Sequence, residues 1–286
     1  MLGRYLTRAV DAQARWSRPF GDFNHRWLGA LFHPIRPIQN FLNGTWLGHP
    51  VHSVVTDVPV GALTVSIVGD VIGQHVVADV AMLLGVLAMV AAAVTGLADY
   101  TEVDGTARNR ATVHGTLMVI TLVLYTISLV IRAGNPPDRL VAFAVAVAGY
   151  LLLALSAAIG GDLVYLAGTH VNRNAWRGAG VKWIKLDLGD LEDIPDGGPT
   201  KLKAGINELA VVREGDRILA VHAQCAHAGG PLGEGSLVGD AIQCPWHGSR
   251  YRMADGHVVR GPAMYDQPAY EVRRAETGGW EVRRRP

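Results

Sequence analysis

Two stretches of the sequence, CAHAGGPL at 225–232 and CPWHGSRY at 244–251, decide how the second half of the chain folds. They contain the only two cysteines among the 286 residues, and a histidine follows each cysteine within three positions. Each stretch thus offers one thiolate and one imidazole, which are ligand types that iron and zinc accept. The two stretches therefore predict a metal centre with four ligands, Cys225, His227, Cys244 and His247.

The order of these ligands separates two kinds of metal centre. Structural zinc sites usually gather like ligands in pairs, as Cys-x-x-Cys and His-x-x-x-His. Here each pair is mixed, because Cys-x-His is followed after sixteen residues by Cys-x-x-His. A Rieske 2Fe-2S centre has two cysteines on one iron and two histidines on the other, and two mixed loops can supply that arrangement. The spacing therefore favours an iron-sulfur centre.

A third stretch, GPAMYDQPAYEVR at 261–273, follows the two loops. Together the three stretches resemble the cluster-binding loops of Rieske ferredoxin domains over roughly 181–285. The resemblance implies an all-β domain at 181–286 that holds a Rieske 2Fe-2S cluster, with the cysteines on the inner iron and the histidines on the outer one. It also implies that Gly261 and Pro262 begin the loop that caps the cluster.

Four other loop positions relate the chain to subfamilies of Rieske proteins. In the Rieske subunits of respiratory and photosynthetic cytochrome complexes, a second cysteine in each loop forms a disulfide, and here those positions are Gly230 and Trp246. A domain without this disulfide suits a reducing compartment such as the cytoplasm. Ser249 and Tyr251 match the hydroxyl groups that donate hydrogen bonds to cluster sulfur in the high-potential proteins, so the resemblance implies that they tune the cluster.

The first half of the chain is strongly apolar and contains four runs of about 20 residues, the length that spans a bilayer. A soluble helical bundle would instead show polar faces at helical period, which these runs lack. The sequence therefore predicts a multi-domain protein, in which an all-α four-helix transmembrane bundle at 51–165 is followed by a linker at 166–180 and the all-β Rieske domain. The runs lie near 53–72, 77–98, 112–131 and 140–160.

An arm at 1–50 that is rich in arginine and aromatic residues precedes the first run. Aromatic rings and basic side chains are both favourable at the membrane–water interface, so we expect an interfacial arm there. An unstructured tail is the alternative. The aromatic residues of the arm include Tyr5, Trp16, Phe20, Phe23, Trp27, Phe32 and Trp46.

The basic residues close to the span ends are unevenly distributed. An even number of spans places the arm and the Rieske domain on the same side of the membrane, with seven basic residues, against Arg132 and Arg139 on the other side. The positive-inside rule then predicts a multi-pass protein of the cell (inner) membrane whose Rieske domain faces the cytoplasm. The seven residues are Arg36, Arg108, Arg110, Arg173, Arg177, Lys182 and Lys185.

The membrane half resembles a family of bacterial four-helix membrane proteins of unassigned function, on HPVHSVVTDVPVGAL at 49–63, His114 and IGGDLVYLAG at 159–168. Ionisable residues within spans are costly and should face the bundle interior or the interface. Helix direction places His52 and His114 near the same end of different spans, where two imidazoles could ligate a b-type haem. The alternative is that both are interfacial histidines bonded to backbone or to a carboxylate such as Asp57.

The expected function is that of a membrane-anchored Rieske protein that carries single electrons between unidentified redox partners. We expect an electron-transfer protein or oxidoreductase component rather than a complete enzyme, because no residues remain to build the mononuclear iron site of a Rieske oxygenase. A net charge of +1 without a basic stripe argues against nucleic acid as a partner. A quinone- or haem-linked oxidoreductase subunit and a redox sensor are the alternatives, and membrane lipid, a donor protein, an acceptor protein and quinone are the partners considered.

Overall fold

The computed structural model describes residues 2–134, 136, 138–177, 182–276 and 278–285. The chain divides into two compact units, one made of Met1–Asn43 with Pro50–Thr169 and the other of Gly44–His49 with His170–Pro286. The domain start expected at 181 and the end of the expected linker lie outside the described residues.

The first unit is helical, and its described residues include four helical stretches that are long and apolar enough to cross a membrane. Less than a third of the most apolar part of each stretch is buried in the bundle, so most of these side chains are available to lipid. The expected four-helix architecture is confirmed. The helices are α1 Leu2–Asp11, α2 Ala14–Phe32, α3 Arg36–Asn43, α4 Val51–Val55, α5 Asp57–Val71, α6 His75–Tyr100, α7 Gly105–Ala133 and α8 Leu140–Tyr165, and α4 and α5 together form the first span.

Small residues allow the spans to pack closely in two hairpins, α5 with α6 and α7 with α8. A Cβ atom on Gly85 of α6 would lie 2.6 Å from the Leu63 side chain of α5. Likewise, a Cβ atom on Gly149 of α8 would lie 3.1 Å from the Tyr125 ring of α7. Close approach at glycine is the usual way for membrane helices to gain packing contacts, because lipid provides no hydrophobic drive for their association.

A buried ion network joins the two hairpins at one end of the bundle. The side chain of Arg132 in α7 is only 1% exposed. Its guanidinium donates to Asp70 of α5 and, at 2.9 Å, to Asp79 of α6. Arg139, just before α8, also donates to Asp79. Buried charges in a membrane protein require such pairing, so this network contributes to holding the bundle together.

The arm is helical in the structure, which argues against an unstructured tail, and it packs on the other helices of its unit. Arg110 of α7 forms two hydrogen bonds of 2.8 and 2.9 Å with Asp11 of α1. Arg36 of α3 donates to Glu102, which follows α6, at 2.8 Å. Its position at the membrane interface remains a prediction, which fits the large apolar side chains that the arm exposes. These include Tyr5, Trp16, Phe20, Phe23, Trp27 and Phe41.

The second unit is built from two antiparallel sheets, as expected for an all-β domain. The larger sheet has the strand order β1-β10-β9-β4-β3-β2, and the smaller one has the order β5-β6-β7-β8. The first cysteine loop connects the two sheets between β4 and β5, and the second lies within the smaller sheet between β6 and β7. The strands are β1 Ile184–Leu186, β2 Thr200–Ala204, β3 Asn207–Glu214, β4 Arg217–His222, β5 Ser236–Val238, β6 Ala241–Gln243, β7 Arg250–Arg252, β8 Val258–Arg260, β9 Ala269–Arg274 and β10 Trp280–Arg284.

Candidate metal centre

The two cysteine loops share one backbone design. In the first loop the N–H of Gly229 donates to the Cys225 carbonyl at 2.9 Å, and in the second the N–H of Gly248 donates to the Cys244 carbonyl at 3.1 Å. Both glycines have φ in the left-handed region, +86° and +75°, where a side chain would be strained. Each cysteine N–H in turn donates to the residue five positions later, Gly230 or Ser249, at 2.9 and 2.8 Å. The backbone alone therefore closes both loops into the same shape.

The two thiols form a buried pair inside these loops. Cys225 and Cys244 are 1% and 2% exposed, are free of any disulfide, and lie close enough for each to affect the ionisation of the other. The interaction between the thiols lowers the pKa of Cys244, and together with burial it raises the pKa of Cys225, so the pair favours a thiolate on Cys244. Backbone N–H groups also point at both sulfurs, from His227 to Cys225 and from Trp246 and His247 to Cys244.

The two imidazoles form a second pair beside the thiols. The rings of His227 and His247 are 4.9 Å apart between centroids and nearly perpendicular. The Trp246 ring lies 6.5 Å from the His247 ring and is 58% exposed, so the imidazole side of the site is the one near the protein surface.

The donor set and its surroundings fit a binuclear cluster. Within the described part of the chain, no three His, Cys, Asp or Glu side chains surround a common point as the ligands of a single ion would. The four side chains stand as a sulfur pair and a nitrogen pair, which is the division that a Rieske centre uses. Gly230 keeps the space next to one sulfur open, because a Cβ atom there would lie 2.7 Å from Cys244 Sγ and 3.1 Å from the Trp246 ring.

The two hydroxyl groups expected near the cluster have different contacts. Tyr251 Oη lies 3.1 Å from Cys225 Sγ. Burial raises the pKa of Tyr251 well above its ordinary value, so the phenol keeps its proton and can donate it to the sulfur. Ser249 Oγ accepts a hydrogen bond from the N–H of Ala263 at 3.0 Å and so joins the second loop to the third. The third loop begins at Gly261 and Pro262, which are linked by a cis peptide bond.

Two polar residues that the sequence analysis missed brace the first loop. The buried Gln267 side chain accepts a hydrogen bond from the Ala226 N–H at 2.9 Å and donates to the carbonyl of Gln224 at 2.7 Å. Asn174 donates to the same Gln224 carbonyl at 2.9 Å, although it lies in the stretch expected to be a linker. Their partners are far away in the sequence, so no local pattern indicated these roles.

Of the nine histidines outside the imidazole pair, three bear on the assignment of ligands. His222 ends β4, where its Nδ1 accepts a hydrogen bond from the Gln224 N–H at 3.1 Å, and burial lowers the pKa of His222 to about 4. His52 and His114 lie in the helical unit, where each Nδ1 is bonded to a backbone carbonyl rather than to Asp57.

Comparison with known families assigns both halves of the chain. Residues 184–271 match the Rieske 2Fe-2S domain, and residues 48–173 match a family described as predicted membrane protein (DUF2231). The chain therefore belongs to the Rieske 2Fe-2S proteins, with a membrane domain attached. A Rieske domain implies a 2Fe-2S cluster, and the donor set described above fits one.

Several of the individual relatives are ferredoxins. The chain is 36% identical over 70 residues to ferredoxin CarAc of Metapseudomonas resinovorans, which is 24% of this chain and 65% of that protein. It is also 31% identical to the ferredoxin component of the naphthalene 1,2-dioxygenase/salicylate 5-hydroxylase systems of Ralstonia sp. That match extends over 91 residues, which are 32% of this chain and 86% of the relative. The solved ferredoxin of carbazole 1,9a-dioxygenase from Nocardioides aromaticivorans IC177 aligns at 29% identity over 35% of this chain and 94% of that chain, with a TM-score of 0.31.

Proposed function

We propose that this protein is a membrane-anchored Rieske carrier in which Cys225 and Cys244 hold one iron and His227 and His247 hold the other. The observation that carries the proposal is the buried thiol pair beside the imidazole pair, with backbone N–H groups aimed at both sulfurs. When bound, the cluster supplies a one-electron couple. The side chains of the chain hold it, and the N–H groups and the Tyr251 hydroxyl stabilise negative charge on the sulfurs.

The partners in this proposal are redox proteins that dock on the imidazole side of the site. The exposed Trp246 ring beside His247 offers an apolar contact there, and aromatic residues are enriched in protein interfaces. The relatives that are components of oxygenase systems support a ferredoxin-like role, in which a reductase supplies the electron and an oxygenase or another acceptor receives it. Quinone is retained as an alternative acceptor, and haem ligation by His52 and His114 is a separate proposal about the helical unit.

Steady-state turnover tests the carrier function. The purified full chain should pass electrons from a ferredoxin reductase to an acceptor protein, at a rate that depends on its concentration and disappears when the cluster is removed. A redox sensor would instead be reduced once and would change the helical unit without net electron flow. Failure of turnover with a range of reductases and acceptors, together with such a change, would favour the sensor.

The Tyr251 hydroxyl should raise the reduction potential of the cluster. A hydrogen bond to sulfur stabilises the reduced, more negative state more than the oxidised state. A differential of about 1 to 1.5 kcal/mol corresponds to roughly 40 to 65 mV for one electron, so Tyr251→Phe is expected to lower the potential by about that amount. The Ser249 hydroxyl accepts a hydrogen bond from Ala263, so its own proton can be donated to a cluster sulfur. Ser249→Ala is therefore expected to lower the potential as well. Protein-film voltammetry measures both shifts.

Tyr265→Phe is the matched control for this prediction. Tyr265 donates from the same kind of hydroxyl group to the carbonyl of His170 at 3.0 Å rather than to a thiol. Its substitution should leave the potential unchanged. Equal potentials for the wild type and Tyr251→Phe would show that the phenol does not act on the cluster.

The orientation of the Rieske domain is a proposal that rests on the uneven distribution of basic residues. A reporter enzyme fused to the carboxyl end of the chain should be active in the cytoplasm, whereas one inserted in the loop between α7 and α8 should be active outside. The reverse pattern would place the Rieske domain on the external side and would replace cytoplasmic reductases by periplasmic carriers as partners.

A further inference from the structure

Two histidines of the helical unit, one in each hairpin, have the same local environment: a backbone carbonyl at Nδ1 and a glycine against the ring. His52 Nδ1 of α4 lies 2.8 Å from the carbonyl oxygen of Ala92 in α6, and His114 Nδ1 of α7 lies 2.8 Å from the carbonyl oxygen of Ser156 in α8. One turn further along each receiving helix is a glycine against which the ring packs. A Cβ atom would lie 2.8 Å from His52 Cε1 at Gly96 and 3.2 Å from His114 Cε1 at Gly160.

The carbonyl contacts fix the tautomer of both rings. A carbonyl oxygen only accepts, so Nδ1 carries the hydrogen in each case and Nε2 of the neutral ring is left with a lone pair. Neither Nε2 has a hydrogen bond to any described residue. Holding Nδ1–H on a backbone carbonyl is also how proteins orient histidines that bind a metal through Nε2.

The two lone pairs lie at matching depth in the bundle. Ala92 lies just over two turns before the end of α6 at Tyr100, and Ser156 lies at nearly the same distance before the end of α8 at Tyr165. Both accepting carbonyls therefore lie about 12 to 14 Å from the ends of their helices, which are at the same side of the bundle. The two imidazoles are close enough to interact electrostatically. Each Nε2 therefore presents an available lone pair among the spans, where ionisable residues usually mark a functional site.

We propose that His52 and His114 ligate the iron of a b-type haem through Nε2, one from each hairpin. Two imidazoles are the whole protein contribution that a haem iron needs, because the porphyrin fills its other four positions, whereas zinc takes three or four protein ligands. The alternative interpretation is that these histidines are simply hydrogen-bonded to the backbone. It explains the position of Nδ1 but gives Nε2 no role. This inference goes beyond the Rieske carrier function, since it adds a second one-electron centre in the membrane domain.

Haem content of the purified full chain tests the proposal. Protein made in cells supplied with a haem precursor should contain about one haem per chain by pyridine haemochrome assay, with the absorption spectrum of a six-coordinate low-spin haem. His52→Ala and His114→Ala should each lose that spectrum. His75→Ala is the matched control and should keep it, because His75 is the first residue of α6, at the other end of the bundle and near Asp70.

A second pair of variants separates ligation from folding. Gly96→Ala and Gly160→Ala keep the histidines but place a methyl group against their rings. Each substitution should therefore shift the haem spectrum or reduce the haem content. The Rieske EPR signal serves as an independent measure of a folded chain and should persist in all the membrane variants. Wild type that has the Rieske signal but no haem, or haem that survives unchanged in both histidine variants, would overturn the proposal. A chain with haem but no Rieske signal would instead contradict the carrier function.

Discussion

Replacing His247 by alanine is expected to abolish the Rieske EPR signal of the reduced protein. The imidazoles of His227 and His247 form the nitrogen pair of the site, and a methyl group cannot replace a ligand to iron. The same loss is expected for His227→Ala, measured with iron content on the purified full chain. His257→Ala is the control, because His257 is an exposed histidine of the same unit that contacts Asp266 at 3.2 Å.

A thiolate substitution distinguishes a ligand from a residue that only supports the fold. His247→Cys should retain iron but lower the reduction potential and change the EPR signal toward that of all-thiolate clusters, because histidine ligation is what raises the potential of Rieske centres. A full, unchanged signal in both alanine variants would show that the four-ligand assignment is wrong.

Replacing Arg132 by leucine is expected to destabilise the helical unit by about 3 kcal/mol, because removing one partner of a buried ion pair leaves uncompensated charge. The substitution mainly removes the ion-pair partner of Asp70, whose side chain is 5% exposed. Arg139 lies near Asp70 and compensates part of the uncovered charge. Denaturant unfolding of the full chain in detergent micelles, followed by the helical signal in circular dichroism, measures the change.

Removing the carboxylate charge should reverse the effect of Arg132→Leu. The combination with Asp70→Asn should recover much of the lost stability, because the two substitutions act on one contact and are therefore not additive. Arg139→Leu is the milder comparison, since its side chain is 24% exposed. If Arg132→Leu unfolded at the same denaturant concentration as the wild type, the network would have no structural role.

The features that could be predicted from the sequence are those that a local pattern encodes. Apolar runs of bilayer length are contiguous in the chain, so the four spans were predictable. The mixed Cys and His spacing falls within two short loops, so the ligand candidates and the Rieske family were predictable as well. Tyr251 was also indicated, because it lies seven positions after Cys244 in one of those loops.

The features that were missed depend on residues that meet only after folding. Gln267 and Asn174 both reach Gln224, which is more than forty residues away in the sequence from either. The pairing of Arg132 with Asp70 joins two spans whose relative rotation the sequence does not reveal. The segment Gly44–His49 is grouped with the β unit, although its composition resembled the preceding arm.

The matching backbone closure of the two cysteine loops affects how easily an electron can enter and leave. A redox centre exchanges electrons fastest when its surroundings need little rearrangement between the two charge states, as a preorganised polar environment provides. Here the hydrogen bonds that the N–H groups of Gly229 and Gly248 donate, together with those that both cysteine N–H groups donate, set the shape of the loops without a contribution from iron. In the carrier that we propose, charge added to the cluster therefore meets dipoles that already point at the sulfurs, so each transfer needs little reorganisation energy.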